Sequence, residues 1–130
     1  MAFITIDSDD SIANIPSNSS VSDDLKIVGT VSNTLIGNNW SDLLDASIEN
    51  SIETATGSDK QYWTGVNSSG DGEKAEETCS NWTTDSYAGG EENLGRVGSK
   101  TSTTQHWLSL GNDDCSNTTF YRVLCIAWDD

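Results

Sequence analysis

The run Tyr62-Trp63-Thr64-Gly65-Val66 passes through the glycine-rich turn Asn67-Ser68-Ser69-Gly70-Asp71-Gly72 and reaches Cys79-Ser80-Asn81-Trp82. Its opening residues favour a strand over 61–66, with Tyr62 and Trp63 facing opposite sides. Residues 67–77 then form a polar, acidic loop, and Cys79 and Trp82 close the segment. Cys115 and Cys125 complete the cysteines. This tryptophan-and-cysteine frame is the expected anchor of the fold.

A chain of 130 residues fits one domain with a single core, assigned here to 1–130. Its hydrophobic content of 34% is low, but five Trp, three Tyr and two Phe compensate. Aromatic rings bury roughly 150–250 Å² each, and their clustering into strand-like runs argues for a folded domain over disorder. The net charge of −15 excludes a phosphate-backbone ligand in the absence of a basic patch. Lys26, Lys60, Lys74, Arg96, Lys100 and Arg122 are scattered and form none. The acidity reads first as solubility, with attraction of a cation or a basic partner as the sharper alternative. No run approaches the roughly 18–20 apolar residues of a membrane span. Residues 1–6 lack the basic and apolar regions of a signal peptide, so a secretion signal would lie upstream of Met1.

Working outward, residues 2–6 read as a short strand and 11–24 as a loop containing Pro16, the only proline. Residues 25–28 form a second apolar run, and 30–38 are ambiguous. The segment 39–48 reads as a helix with Asn39 or Ser41 as cap and Asp42 in its first turn. Trp40, Leu43, Leu44 and Ile48 share its apolar face, which Ile52 extends by at most a turn. Residues 83–104 look irregular, with Gly89, Gly90, Gly95 and Gly98 and few apolar residues; such loops are often functional. Residues 105–110 read as a strand and 111–114 as a turn. The strongest strand signal is 120–128: Phe120, Leu124, Ile126 and Trp128 on one face with Arg122, and Tyr121, Val123, Cys125 and Ala127 on the other. Apolar residues on both faces predict a buried central strand.

Three cysteines in an acidic, Ser/Thr-rich chain favour an oxidising compartment. A bridge from Cys79 to Cys115 would enclose the irregular segment and stabilise by roughly 3–4 kcal/mol in the chain-entropy picture. Cys125, expected to point inward, is left over. It is either a buried free thiol or the partner of a cysteine upstream. A thiolate metal site lacks support, since there is no Cys-x-x-Cys and His106 is the only histidine.

Six elements in order carry a resemblance: Asn38-Asn39-Trp40-Ser41-Asp42-Leu43-Leu44-Asp45, Tyr62-Trp63-Thr64-Gly65, Cys79-Ser80-Asn81-Trp82-Thr83, Trp107, Cys115 and Val123-Leu124-Cys125. Over most of 2–125 the chain resembles the bacterial endostatin-like domain of spirochaete outer-surface proteins, a relative in fold of the C-type lectin-like domain. The resemblance implies an α+β fold with short antiparallel strands, one or two short helices and long loops. It also implies an inner disulfide, matched by Cys79 and Cys115, and an outer one, of which Cys125 matches the C-terminal member. The outer partner normally lies on an N-terminal helix. Residues 2–5 match the strand after that helix, so helix and partner cysteine are both missing here. A hydrophobic face would then be uncovered, or covered by a neighbouring subunit.

The lectin relationship raises calcium as a cofactor. Asn112 and Asp113, ahead of Cys115, resemble the Asn-Asp pair of calcium-dependent lectins. Gly111 replaces the usual Trp, however, and two residues cannot supply the roughly six to eight oxygens calcium takes. Asn67-x-Ser69-x-Asp71-Gly72 opens like an EF-hand loop, but its twelfth position is Thr78. Catalysis lacks a constellation: His106 has no supporting motif, and Glu76-Glu77 and Glu91-Glu92 reflect abundance. Sequons at Asn18, Asn39, Asn67, Asn81 and Asn117 barely exceed what the Ser/Thr content produces by chance.

The expectation is a non-enzymatic extracellular or cell-surface adhesion domain that binds a protein, matrix component or glycan through its long loops. Trp82, Asp85, Tyr87, Glu91, Glu92, Asn93, Arg96 and Trp107 are the candidate ligand-binding residues. The alternative is a structural repeating subunit of a surface filament, layer or large adhesin. A neighbour would then supply the missing N-terminal element.

Overall fold

The computed structural model describes residues 1–67, 77–86, 90 and 93–128. It is a small α+β assembly of two antiparallel sheets and a few short helices. The smaller sheet pairs β1 (Ile27–Val28) with β2 (Leu35–Gly37). The larger has the order β3 (Tyr62–Trp63), β4 (Leu94–Gly98), β5 (Gly111–Asp114), with Trp63 opposite Val97 and Gly95 opposite Asp113. No helix among the described residues is long and apolar enough to cross a membrane.

The helices are short and held by their ends. In α1 (Ile15–Ser19), Pro16 sits in the first turn, where its missing N–H is harmless, and Ile15 is buried. In α2 (Trp40–Leu43), Asn39 accepts from the Asp42 N–H at 2.8 Å, and the Asp42 carboxylate accepts from the Asn38 N–H at 2.6 Å. The two residues thus cap one another's orphan donors. In α3 (Ile52–Thr56), Ser51 accepts from Thr54 N–H at 3.2 Å, and Gly57 ends the helix in the left-handed region.

The helix expected over 39–48 therefore stops at Leu43. The chain turns through Ala46 at φ 74°, and Ile48 N–H donates to the Thr103 carbonyl. The predicted face survives without the predicted helix, since Trp40, Leu43, Ile48 and Ile52 are all buried. Around them the core gathers Phe3, Ile12, Ile15, Tyr62, Val66, Trp107 and Leu108. Phe3 lies between two indoles, 6.0 Å from Trp40 and 5.7 Å from Trp107 between ring centroids. Tyr62 brings its hydroxyl into this core and donates to the Trp107 carbonyl at 2.7 Å; burial pushes its pKa far above the ordinary phenol value.

Several strand assignments change. Residues 2–6 make only a bridge at Ala2 to Cys125, after which Thr5 N–H pairs with the Thr64 carbonyl. The loop expected over 11–24 contains α1 and a 3₁₀ turn, Ile12–Asn14. Residues 105–107 are a 3₁₀ turn that buries Trp107, whereas 111–114, expected as a turn, form β5. The segment 83–104 contains β4, the middle strand of the larger sheet. Residues 120–128 form no ladder; they touch the rest through isolated bridges at Arg122 and Cys125. Cys125 is exposed, not inward-facing, and its segment walls an apolar groove at the surface.

Candidate functional site

Tyr62 and Trp63 do face opposite ways. Tyr62 enters the core, while Trp63 lies against Trp82, with ring centroids 5.9 Å apart, and against Tyr121 at 4.5 Å. Beneath Trp63 is the disulfide Cys79–Cys115, which spans 36 positions with a Cα–Cα distance of 5.8 Å. A glycine makes this stack fit. A Cβ on Gly95 would stand 2.5 Å from the Trp63 ring and 2.9 Å from Cys79 Sγ. The middle strand therefore carries no side chain where the indole and the disulfide cross it.

The turn Cys79–Trp82 is left-handed. Its four residues have φ of 51°, 52°, 57° and 62°, and none is glycine. Each such residue costs roughly 1–2 kcal/mol relative to right-handed backbone, so the conformation needs outside support. The disulfide fixes its first residue. Thr78 accepts from the Asn81 N–H at 3.1 Å, and the Trp82 indole N–H donates to the Thr5 carbonyl at 2.8 Å. Gly65, at φ 68°, leaves room for the Trp82 ring, which a Cβ there would approach to 2.9 Å.

The result is a shallow cleft of about 420 Å³ lined by Trp63, Cys79, Trp82, Thr83, Thr84, Asp85, Cys115 and Thr118. Trp82 is half-buried, and Asp85 and Thr118 are exposed. Indole faces, threonine hydroxyls and one carboxylate stand over a cross-linked base, with no cationic residue in the lining. Such a surface can stack an apolar ring face while exchanging hydrogen bonds at its edge.

No protein-family model, curated protein or solved structure matches the chain. The site is therefore read from its geometry.

Of the residues singled out in the sequence, Trp82 and Asp85 meet in this cleft. Trp107 does not; it is 1% exposed and belongs to the core. Asn93 is buried, and its carbonyl accepts from the Cys115 N–H. Arg96 is ion-paired with Glu77 at 2.8 Å, and Glu77 also accepts from Asn112 Nδ2 at 2.6 Å. Tyr87, Glu91 and Glu92 lie outside the described residues. Asn112 and Asp113 are neighbours on β5, so their side chains diverge. The Asp113 carboxylate accepts from the Tyr121 hydroxyl, from Asn117 Nδ2 at 2.9 Å and from the Asp114 N–H at 2.8 Å. The Tyr121 hydrogen bond holds the Asp113 carboxyl below its usual range, while burial and the adjacent carboxylate push Tyr121 up to about 12. No cluster of three or more His, Cys, Asp or Glu suited to a metal occurs among the described residues.

Thr118 and Tyr121 were not singled out as site residues. Thr118 carries no local signal. Tyr121 was assigned to one face of a strand, and its stacking on Trp63 depends on how 115–121 folds back across β3.

Proposed function

We propose that this chain is a non-enzymatic extracellular binding domain of the endostatin-like, C-type lectin-like kind, recognising a glycan or protein ligand at the Trp63–Trp82 cleft. The observation that carries this reading is the left-handed turn Cys79–Trp82, held at φ of 51–62° by a disulfide and by the Trp82–Thr5 hydrogen bond. Strain of this sort persists where the surroundings over-determine it, and such places are often sites of binding. The disulfide fits an oxidising compartment. Asp85 and a net charge of −15 disfavour sulfated or sialylated ligands. Neutral saccharides and amine-bearing ligands suit the aromatic faces and threonine hydroxyls.

The test is a screen of a glycan array and a panel of matrix proteins with the wild type, Trp82→Ala and Asp85→Asn. Binding that disappears with Trp82→Ala and weakens with Asp85→Asn supports the cleft. Hits retained by both variants would move the site elsewhere. Deleting the loop after Trp82 is not a usable control, because it removes β4.

The alternative, a repeating structural subunit whose neighbour supplies an N-terminal element, draws on one observation: Cys125 is exposed and free. It requires self-association. Light scattering that finds a monomer at high protein concentration would remove it.

A further inference from the structure

Away from the cleft, a groove of about 530 Å³ runs between the segments Leu25–Val28 and Leu124–Trp128. We propose that it is a docking site for a cationic amphipathic peptide segment of another protein. Three observations converge on this occupant.

The groove is apolar, and its apolar character spills onto the surface. Leu25 and Val28 are 49% and 46% exposed on one wall, and Met1, whose ammonium donates to the Ile126 carbonyl, is 57% exposed beside the other. Burying such a rim takes an occupant with extended apolar surface. Charge is distributed unevenly around it. The chain holds 21 Asp and Glu, yet none lines the groove, where Lys26 is the single ionised residue. Carboxylates stand just beyond the walls. Exposed Asp23 and Asp24 precede Leu25, and Asp129 and Asp130 follow Trp128 in the sequence. An apolar floor with acidic ends matches a segment that is apolar on one face and basic at its flanks. A second copy of this chain is the wrong occupant, because each copy carries −15.

The third observation concerns donors. Trp40 and Trp107 both line the groove, are 9% and 1% exposed, and have indole N–H groups without an acceptor. Buried donors are seldom left unpaired. A peptide brings main-chain carbonyls along with its apolar side chains, so it can supply acceptors that a hydrocarbon surface cannot.

Cys125 lines the groove and is exposed, which makes it a reporter. The experiment measures alkylation of Cys125 by a maleimide in the whole 130-residue chain, with its disulfide intact. The probes are an amphipathic Leu/Lys peptide and a Leu/Glu peptide of the same pattern. The Leu/Lys peptide, at about ten times its Kd, should slow alkylation about tenfold. The Leu/Glu peptide should leave the rate unchanged. Leu25→Asp and Val28→Asp, both on the exposed rim, should each weaken the Leu/Lys peptide about tenfold. Leu110→Asp, equally exposed but outside the groove, should not. Equal protection by both peptides, no protection by either, or equal losses from Leu110→Asp and Leu25→Asp would each overturn the proposal. Concentration-dependent protection without peptide would assign the groove to a second copy and overturn it too.

Discussion

The two faces of this molecule handle their polar and strained groups in opposite ways. On the cleft face, Arg96 is paired with Glu77, Asp113 is matched to Tyr121 and Asn117, and the Trp82 N–H reaches Thr5. A covalent bond secures the left-handed turn in their midst. On the groove face, apolar side chains stay open, two indole donors lack acceptors, and a thiol is free. One face is completed within the chain; the other is completed by something else. A completed face can hold a shaped site against strain, whereas an open one gains most from being covered.

The strongest way to break this comparison is to remove the disulfide. Closing 36 positions should stabilise by about 3–4 kcal/mol, so Cys79→Ala/Cys115→Ala should lower the urea midpoint substantially. Relaxation of the left-handed turn would offset part of that loss. In conditions where the variant stays folded, the cleft should lose its ligand while the alkylation rate of Cys125 stays near wild type. An equal change at Cys125 would show that the two faces are one cooperative unit.

Gly95→Ala tests the same face without touching the cross-link. The added methyl meets the Trp63 ring and Cys79 Sγ inside normal contact distance. Overpacking of this kind costs about 1–3 kcal/mol, and it should appear in the urea midpoint together with altered tryptophan fluorescence. A variant as stable as wild type would mean that Trp63 moves freely, and the cleft would then lack a fixed floor.

How much of this was legible from residue order depends on what holds each element. Asn39, Asp42 and Ser51 cap helices through side chains within a few positions, and such signals are local. The opposed faces of Tyr62 and Trp63 follow from strand alternation, and the bridge between Cys79 and Cys115 follows from the cysteine pattern. β4 was hidden because Leu94-Gly95-Arg96-Val97-Gly98 looks like loop sequence. Its glycines are required by Trp63 and Cys79 at Gly95, and at Gly98 by Trp107, whose carbonyl oxygen would lie 2.1 Å from a Cβ. β5 was hidden for a related reason, since Gly111-Asn112-Asp113-Asp114 pairs with β4 and spends its side chains on Glu77, Tyr121 and Asn117. Residues 120–128 misled in the other direction: their alternation is genuine, but the neighbouring chain offers single bridges at Arg122 and Cys125 instead of a ladder. In the cleft, Trp82 and Asp85 were legible as residues of a loop, whereas Thr118 and Tyr121 arrive through chain reversal alone.

A smaller effect sharpens the contrast between paired and unpaired indoles. Trp82→Phe keeps an aromatic ring over Gly65 but deletes the hydrogen bond to the Thr5 carbonyl. The expected loss is about 1 kcal/mol in urea unfolding. The companion change Trp82→Ala should cost more, because it removes the ring packed against Trp63 as well.

The finest test concerns Asp113 and Tyr121. Tyr121→Phe keeps the stacking on Trp63 and removes the hydroxyl that chiefly lowers the Asp113 pKa. Both groups are partly open to solvent, so the loss should stay below about 1 kcal/mol near neutral pH. The sign of its pH dependence is fixed by the two shifts. Asp113 is lowered from 3.8, so its contribution is present above that value and fades as the pH falls through the lowered one. Tyr121 is raised from 10.0 to about 12, so its contribution is full below 10 and fades as the pH rises toward about 12. The difference in urea midpoint between wild type and Tyr121→Phe should therefore form a plateau across neutral pH and shrink at both ends. A difference that stays constant from neutral pH down to about pH 2 would show that the hydroxyl acts through packing alone. The cleft face would then owe its shape to the disulfide and Gly95, with Asp113 and Tyr121 adding contact but no electrostatic brace.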